Sequence, residues 1–376
     1  MALAAVQLSA IAVTALVPGA DSEVLEVLPA VTRLRPARSS AAPLQAASPA
    51  AAVQQARQDI AVARQTGDTR YWGRAQAALA PWWDRPDAPP DLAVLQATVQ
   101  QGRHEFEPSR KVLTATLARA PAHAQGWLNL AALERLSGRY LESLRACDAV
   151  ARAGQALYAQ ACRFETESLQ GRSELARQGL QNLLTQSSND DQRSWLLSLL
   201  AESEERAGRD RAAASAYARS LALGPDLYTA IAYSDLLLRT GKTRQAIEIL
   251  APLPETDAVL LRRGAALRRL KDAHWLELRA TLRERGAELD RRGDDRTLHA
   301  RELALVSLWL DDDAPAAWKM AQRNLQLQRE PVDWWVALES ARLAGDASAV
   351  AGLRKGIADV GLVDARLTEP SAKVAR

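Results

Sequence analysis

A chain of 376 residues can hold two or three globular domains or one extended solenoid. Ala, Leu, Arg, Gln and Glu dominate, whereas Ile, Val, Phe and Thr, the residues that fill strands, are sparse; this excludes a sheet-based architecture and points to an all-α chain. A net charge of +3, with Lys+Arg 48 and Asp+Glu 45 interspersed, speaks against nucleic-acid binding, which needs a basic face to neutralise phosphates.

Residues 1–20 carry no charged side chain and run apolar from Leu3 to Val17 before Pro18, Gly19 and Ala20, as in a secretory signal. The basic residues that ordinarily open such a signal are missing, so an extra apolar helix at the N-terminus is the alternative. The run is short of the roughly 20 apolar residues of a membrane span, and no stable span is expected once a signal is removed. Residues 21–55, rich in Ala, Ser and Pro, read as a linker leading into the first helix.

From residue 56 onward the landmarks recur. Trp127, Leu130 and Ala131 share one helical face, Gly138-Arg139-Tyr140 makes a turn, and Ser143 and Cys147 open the next apolar stripe. Leu197, Leu200 and Ala201 share a face before Gly208, and Ala213, Tyr217 and Ser220 follow it, with Pro225 closing the unit. Steps of 34 residues back place Phe106, Ser109, Leu113 and Pro121, and then Trp72, Ala75, Leu79 and Trp82, on corresponding positions. Forward, Gly171, Ala176, Leu180 and Leu183 fit with a slip of one residue, and Gly241, Ala246, Leu250 and Leu253 fit after Pro225. Small residues let helices approach, Gly accepts the left-handed conformation that ends a helix, and Pro blocks propagation. Six units are expected over 56–259, irregular helix pairs and a cap over 260–360, and a flexible tail over 361–376.

In these landmarks the chain resembles the tetratricopeptide repeat (TPR) family. The resemblance implies a right-handed superhelical solenoid of antiparallel helix pairs whose first helices line a concave groove. It assigns Gln125, Leu128, Ala132 and Arg135 to that groove from one unit, and Tyr158, Glu165 and Ser168 from the next. Trp195, Glu202 and Glu205 follow, then Tyr228, Asp235 and Arg239. A groove of aromatic and charged residues suits an extended or helical peptide; the alternative is one that only shapes a scaffold. Some relatives clamp a C-terminal carboxylate between lysines and asparagines. Asn129 stands where such an asparagine would, but the lysines and the second asparagine are missing.

Residues that could carry chemistry are few. The four histidines, His104, His123, His274 and His299, are scattered without metal-ligand spacing, so no metal, cofactor or catalytic group is expected. Thr240-Gly241-Lys242-Thr243 has the end of a phosphate-binding loop, but Leu236 stands where its first Gly belongs. Asp311-Asp312-Asp313 is read as a helix N-cap, and Arg262, Arg263, Arg268, Arg269 and Lys271 as a solvated face. Glu204 and Glu205 have no counterpart identifiable in sequence. Trp82-Trp83 and Trp334-Trp335 are read as one ring packed between helices with its neighbour capping the array, or as exposed anchors for a partner. Cys147 and Cys162 lie almost equidistant from a turn at Gly154-Gln155, at matching heights on antiparallel helices. They could form a disulfide in an oxidising compartment or remain buried thiols. The expectation is a non-enzymatic scaffold, periplasmic or secreted, serving an envelope complex; the alternatives are a cytoplasmic scaffold and an enzyme with its site in 260–376.

Overall fold

The computed structural model describes residues 48–291 and 296–368, and every regular element among them is helical. The expected signal over 1–20, the linker up to residue 47 and the tail beyond 368 lie outside the described residues. Among the described residues, nine antiparallel pairs follow one another. The first six are α1 (Pro49–Thr66) with α2 (Arg70–Leu79), α3 (Pro90–Gly102) with α4 (Phe106–Arg119), α5 (Ala124–Leu136) with α6 (Tyr140–Arg152), α7 (Ala156–Leu169) with α8 (Ser173–Gln186), α9 (Asp190–Arg206) with α10 (Asp210–Leu223), and α11 (Leu227–Arg239) with α12 (Thr243–Leu250). Then come α13 (Asp257–Arg269) with α14 (Trp275–Arg291), α15 (Ala300–Trp309) with α16 (Ala314–Leu327), α17 (Pro331–Leu343) with α18 (Ala347–Val360), and a last short α19 (Ala365–Thr368). This is an all-α solenoid of the tetratricopeptide type.

Two expected boundaries change. Helix α1 starts at Pro49, inside the stretch read as linker, because the Ser48 hydroxyl accepts from the Ala51 amide at 3.2 Å and Pro49 suits the first helical position. Its buried face is Ala52, Ala56, Ile60 and Ala63, a stripe with helical spacing but little bulk, which a search for large apolar residues overlooks. At the other end, the tail expected from 361 is ordered to residue 368: Leu362 is 5% exposed and Asp364 1%.

Each pair reverses over a residue of positive φ. Gly67, Gly138, Gly171, Gly208, Gly241 and Gly345 supply it in six pairs, and His104, Lys271 and Asp312 in the other three. A side chain in the left-handed region costs roughly 1–2 kcal/mol, which is why most of these positions are glycine. Three of the turns share a further device. The amides of Arg139, Arg172 and Arg209 donate to the carbonyls of Glu134, Glu167 and Glu204 at 2.8, 3.1 and 2.9 Å. The same arginine side chains then pair with the same three glutamates, so each helix end is tied twice.

First helices of neighbouring pairs touch each other along most of the array, while among the described residues no two second helices come as close, so the first helices line the inner side of the curve. The curve is tight enough for one turn of the superhelix to rest on the next. Gly67 lies against Leu227 and Thr256, Gly138 against Arg329 and Val360, Gly171 against Val363, and Gly208 against Ala365. The Arg329 amide donates to the Leu136 carbonyl at 2.7 Å and the Val363 amide to the Leu169 carbonyl at 2.8 Å, satisfying acceptors that the ends of α5 and α7 leave open. One core cluster accordingly joins Tyr140 and Leu169 to Leu260, Leu305, Trp334, Val336, Leu353 and Leu362.

Two outcomes follow from the turns. Arg209 is the hydrogen-bonding cation on Glu204, whose side chain is 3% exposed, whereas Glu134 also receives Arg110 Nε at 3.1 Å. Arg209→Ala should therefore cost about 1–3 kcal/mol and Arg139→Ala clearly less; equal urea midpoints for the two variants would refute the orphaned-carboxylate account. His104 is the second case. Its Nδ1 is buried without a partner among the described residues, and burial above all lowers its pKa; Arg301 and His299 add to this while Glu302 and Glu330 oppose it. The unfolded chain, with an ordinary value near 6.5, therefore takes the proton first. Stability should be full above about pH 6.5 and fall as pH drops toward the folded-state value, and His104→Asn, which tolerates positive φ, should flatten that slope in urea titrations.

Candidate partner groove

The inner face is built from five consecutive first helices whose charged side chains bridge from one helix to the next. Arg135 on α5 meets Glu165 on α7 at 2.7 Å. Arg206 on α9 reaches back to Ser168 Oγ at 2.7 Å and along its own helix to Glu202 at 3.3 Å. From α11, the Tyr228 hydroxyl donates to Glu202 at 2.8 Å, and Arg239 pairs with Glu205 at 3.2 Å and with Asp210 at 2.6 Å. Arg262 on α13 forks onto Asp235 of α11 with bonds of 2.8 and 2.7 Å. Acid thus meets base between α5 and α7, between α9 and α11 and between α11 and α13, while the α7–α9 step is a hydrogen bond from Arg206 to a hydroxyl.

The environments follow from that wiring. Burial raises the Glu202 carboxyl, against the pull of Arg206. Tyr228 is 61% exposed, and the carboxylate of Glu202 that accepts from its hydroxyl, above all, holds its phenol well above the usual range. Burial and then Glu205 do the same for Tyr217, whose hydroxyl donates to Glu205 at 3.2 Å. Burial disfavours the Arg239 charge, but Asp210 and Glu205 outweigh it and the guanidinium pKa is raised.

Several residues do something other than the sequence suggests. Leu128 packs against the cluster of Ala131, Ala146, Cys147 and Cys162 rather than standing free in the groove. Asn129 is 8% exposed and donates to Thr98 Oγ1 at 2.8 Å, with Gln125 bonding its side-chain oxygen at 2.8 Å, so it is tied to α3 and cannot clamp a carboxylate. Glu204 and Glu205 do have counterparts, in Arg209 and Arg239. Only the Glu–Arg spacing across each turn glycine would have shown the first; the second is a contact between helices. The basic stretch on α13 is no solvated face: Arg263 pairs with Glu255 at 3.2 Å, while Arg268 and Arg269 donate to the carbonyls of Trp309 and Leu238 at 2.7 and 2.6 Å. Of the acid run, Asp313 caps α16 through the Ala316 amide, Asp311 meets Arg279 and Arg283, and Asp312 meets Arg268. Trp334 is 6% exposed in the core, and Trp335 packs on Trp309 with ring centroids 6.2 Å apart.

Beside the ladder, two turns before Glu165 on α7 and before Glu202 on α9, the wiring gives way to aromatic surface. Tyr158 and Trp195 lie with centroids 5.5 Å apart, and Gln192 donates to the Tyr158 hydroxyl at 3.2 Å. With Asn189 and Asp191 they line a shallow recess of about 280 Å³. Among the described residues no group of three His, Cys, Asp or Glu side chains is placed to hold a metal ion, and no helix is long and apolar enough to cross a membrane.

Behind the groove, Cys147 of α6 and Cys162 of α7 lie with Cα atoms 5.7 Å apart and sulfurs at bonding distance. Both cysteines are buried in a cluster with the small residues Ala131 and Ala146. Alkylation of the unreduced protein should find neither thiol free, and reduction should lower stability by roughly 3 kcal/mol, the value for a 15-residue loop. Quantitative labelling of both thiols in protein taken directly from cells would overturn this.

No family model and no curated protein matches the chain. Among solved structures, the human IFIT1 dimer with m7Gppp-AAAA aligns at a TM-score of 0.50 and 12% identity, covering 83% of this chain and 72% of that one. A thermophilic TPR protein of Thermus thermophilus aligns over 50% of this chain and 97% of its own, at 21% identity and a TM-score of 0.39. At such identities the likeness is one of fold.

Proposed function

We propose that this tetratricopeptide-type solenoid is a non-enzymatic scaffold that holds a peptide or protein partner along its concave groove and works outside the cytoplasm in an envelope complex. The observation that carries the reading is the join between a preorganised, charge-balanced ladder and an open recess of two aromatic rings with neighbouring amides. Rings of this kind pack on apolar side chains, and Asn and Gln can bond an extended backbone. A nucleic-acid occupant fits less well, since Arg135, Arg206, Arg239 and Arg262 are each already engaged by a carboxylate. The apolar run from Leu3 to Val17 and the close approach of Cys147 and Cys162 support an exported chain, because disulfides persist in oxidising compartments.

Affinity capture from an envelope fraction tests this. Wild type and Leu175→Ser, altered at an exposed leucine of the second helix α8, should retain the same partner. Tyr158→Ala combined with Tyr228→Ala should lower its recovery about tenfold, as expected for aromatic hot spots. Capture undiminished by the groove variant, or no reproducible partner at all, would refute the proposal.

A further inference from the structure

The carboxylate of Glu205, deep on the inner face of α9, is 4% exposed and carries more than its share of donors. Arg239 reaches it from the ladder and the Tyr217 hydroxyl from α10, and a second cation arrives from far along the chain: Arg366 of α19, at 3.2 Å. That arginine belongs to the segment Leu362–Arg366, which comes to rest on the rim of the groove across α7 and α9. The Val363 amide donates to the Leu169 carbonyl at 2.8 Å. The side chains of Val363 and Ala365 sit over the bare backbone of Gly171 and Gly208, where an added Cβ would stand 3.1 and 3.2 Å from them. These are three aligned seats, for an aliphatic, a small and a guanidinium side chain at positions i, i+2 and i+3.

The electrostatics allow the segment to leave without stranding a charge. Glu205 keeps Arg239 and Tyr217 if Arg366 departs. Asp364, buried in place, carries its own counterion, since Arg366 forks onto it with bonds of 2.9 and 2.6 Å. A buried pair that loses one partner is normally penalised by the orphaned charge; here Glu205 would still face Arg239, which it shares with Asp210, and Asp364 would still face Arg366. Besides these contacts, Leu362 and Leu367 pack into the core cluster and α19 touches α17, whereas Val363 is 52% exposed and α19 has no second helix behind it among the described residues.

We propose that Leu362–Arg366 is a built-in occupant of a guanidinium-reading subsite at Glu205, and that the partner of the groove displaces it with an arginine that follows a short aliphatic residue by three positions. This rests on the groove reading given above and specifies the chemistry of its occupant.

A capped peptide of residues Gly361–Thr368 provides the probe, titrated into full-length protein by fluorescence anisotropy. It should bind Arg366→Ala at least tenfold more tightly than wild type, because the chain's own segment then competes less well. Adding Glu205→Gln to that variant should remove the gain, and a peptide with Lys for Arg366 should recover only part of it. Hydrogen exchange on the unaltered wild type gives a readout independent of any variant's folding: the Val363 amide should open far faster than amides of α9. Equal peptide affinity for wild type and Arg366→Ala, no binding to either, or Val363 exchanging only with α9 would overturn the proposal. Partner capture that depends on Tyr158 and Tyr228 would survive such a result, so the two readings fail separately.

Discussion

An antiparallel helix pair forms only if the chain reverses within a few residues while the carbonyls at the end of the first helix find donors. A residue in the left-handed region meets both demands, since it turns the backbone and aims the next two amides back at the helix. Nine pairs among the described residues reverse that way, and the rest of the architecture follows from their repetition. Because the turn is short and its geometry fixed, each pair presents the same faces to the next, and small residues such as Ala131, Ala213 and Ala246, all fully buried, let neighbouring pairs close up. Curvature then accumulates step by step, with first helices inside.

The inner face created by that curvature would be unfavourable if its charges were unpaired. Glu205, Arg206 and Arg262 are each nearly inaccessible, and an isolated ion at that depth would be strongly destabilising. Pairing acid with base, across neighbouring helices for Glu205 and Arg262 and within α9 for Arg206, resolves the problem, and the cross-helix pairs also fix the register of one repeat against the next. Arg262 with Asp235 and Arg135 with Glu165 therefore act as spacers as much as attractions, holding the groove to one shape before anything enters it. A preformed shape reduces the ordering that binding would otherwise require.

Solenoids are usually held by contacts between adjacent units, so that stability adds up along the chain. Here a second set of contacts joins the turn of one pair to a segment about six pairs later, as between Leu136 and Arg329 or Leu169 and Val363. Such contacts couple distant parts of the array. They also bring residues near the chain's C-terminal end to the groove, which a chain organised only by nearest neighbours would keep remote.

What the sequence determined alone is whatever repeats locally: helical periodicity, the glycine that ends a first helix, the small residue at each crossing, the proline after a unit. These placed the pairs over most of the chain and set Cys147 and Cys162 at matching heights, because spacing along two helices joined by a short turn converts directly into position. Where His104, Lys271 and Asp312 take the left-handed conformation without being glycine, and where α1 buries alanines instead of large residues, the local signal fades although the geometry persists. The ion pairs across the inner face and the seating of Arg366 beside Glu205 join residues far apart in sequence. Their meeting depends on the pitch of the superhelix, the sum of many small rotations between pairs, and no single unit's residues encode that sum; only the tertiary structure decides it.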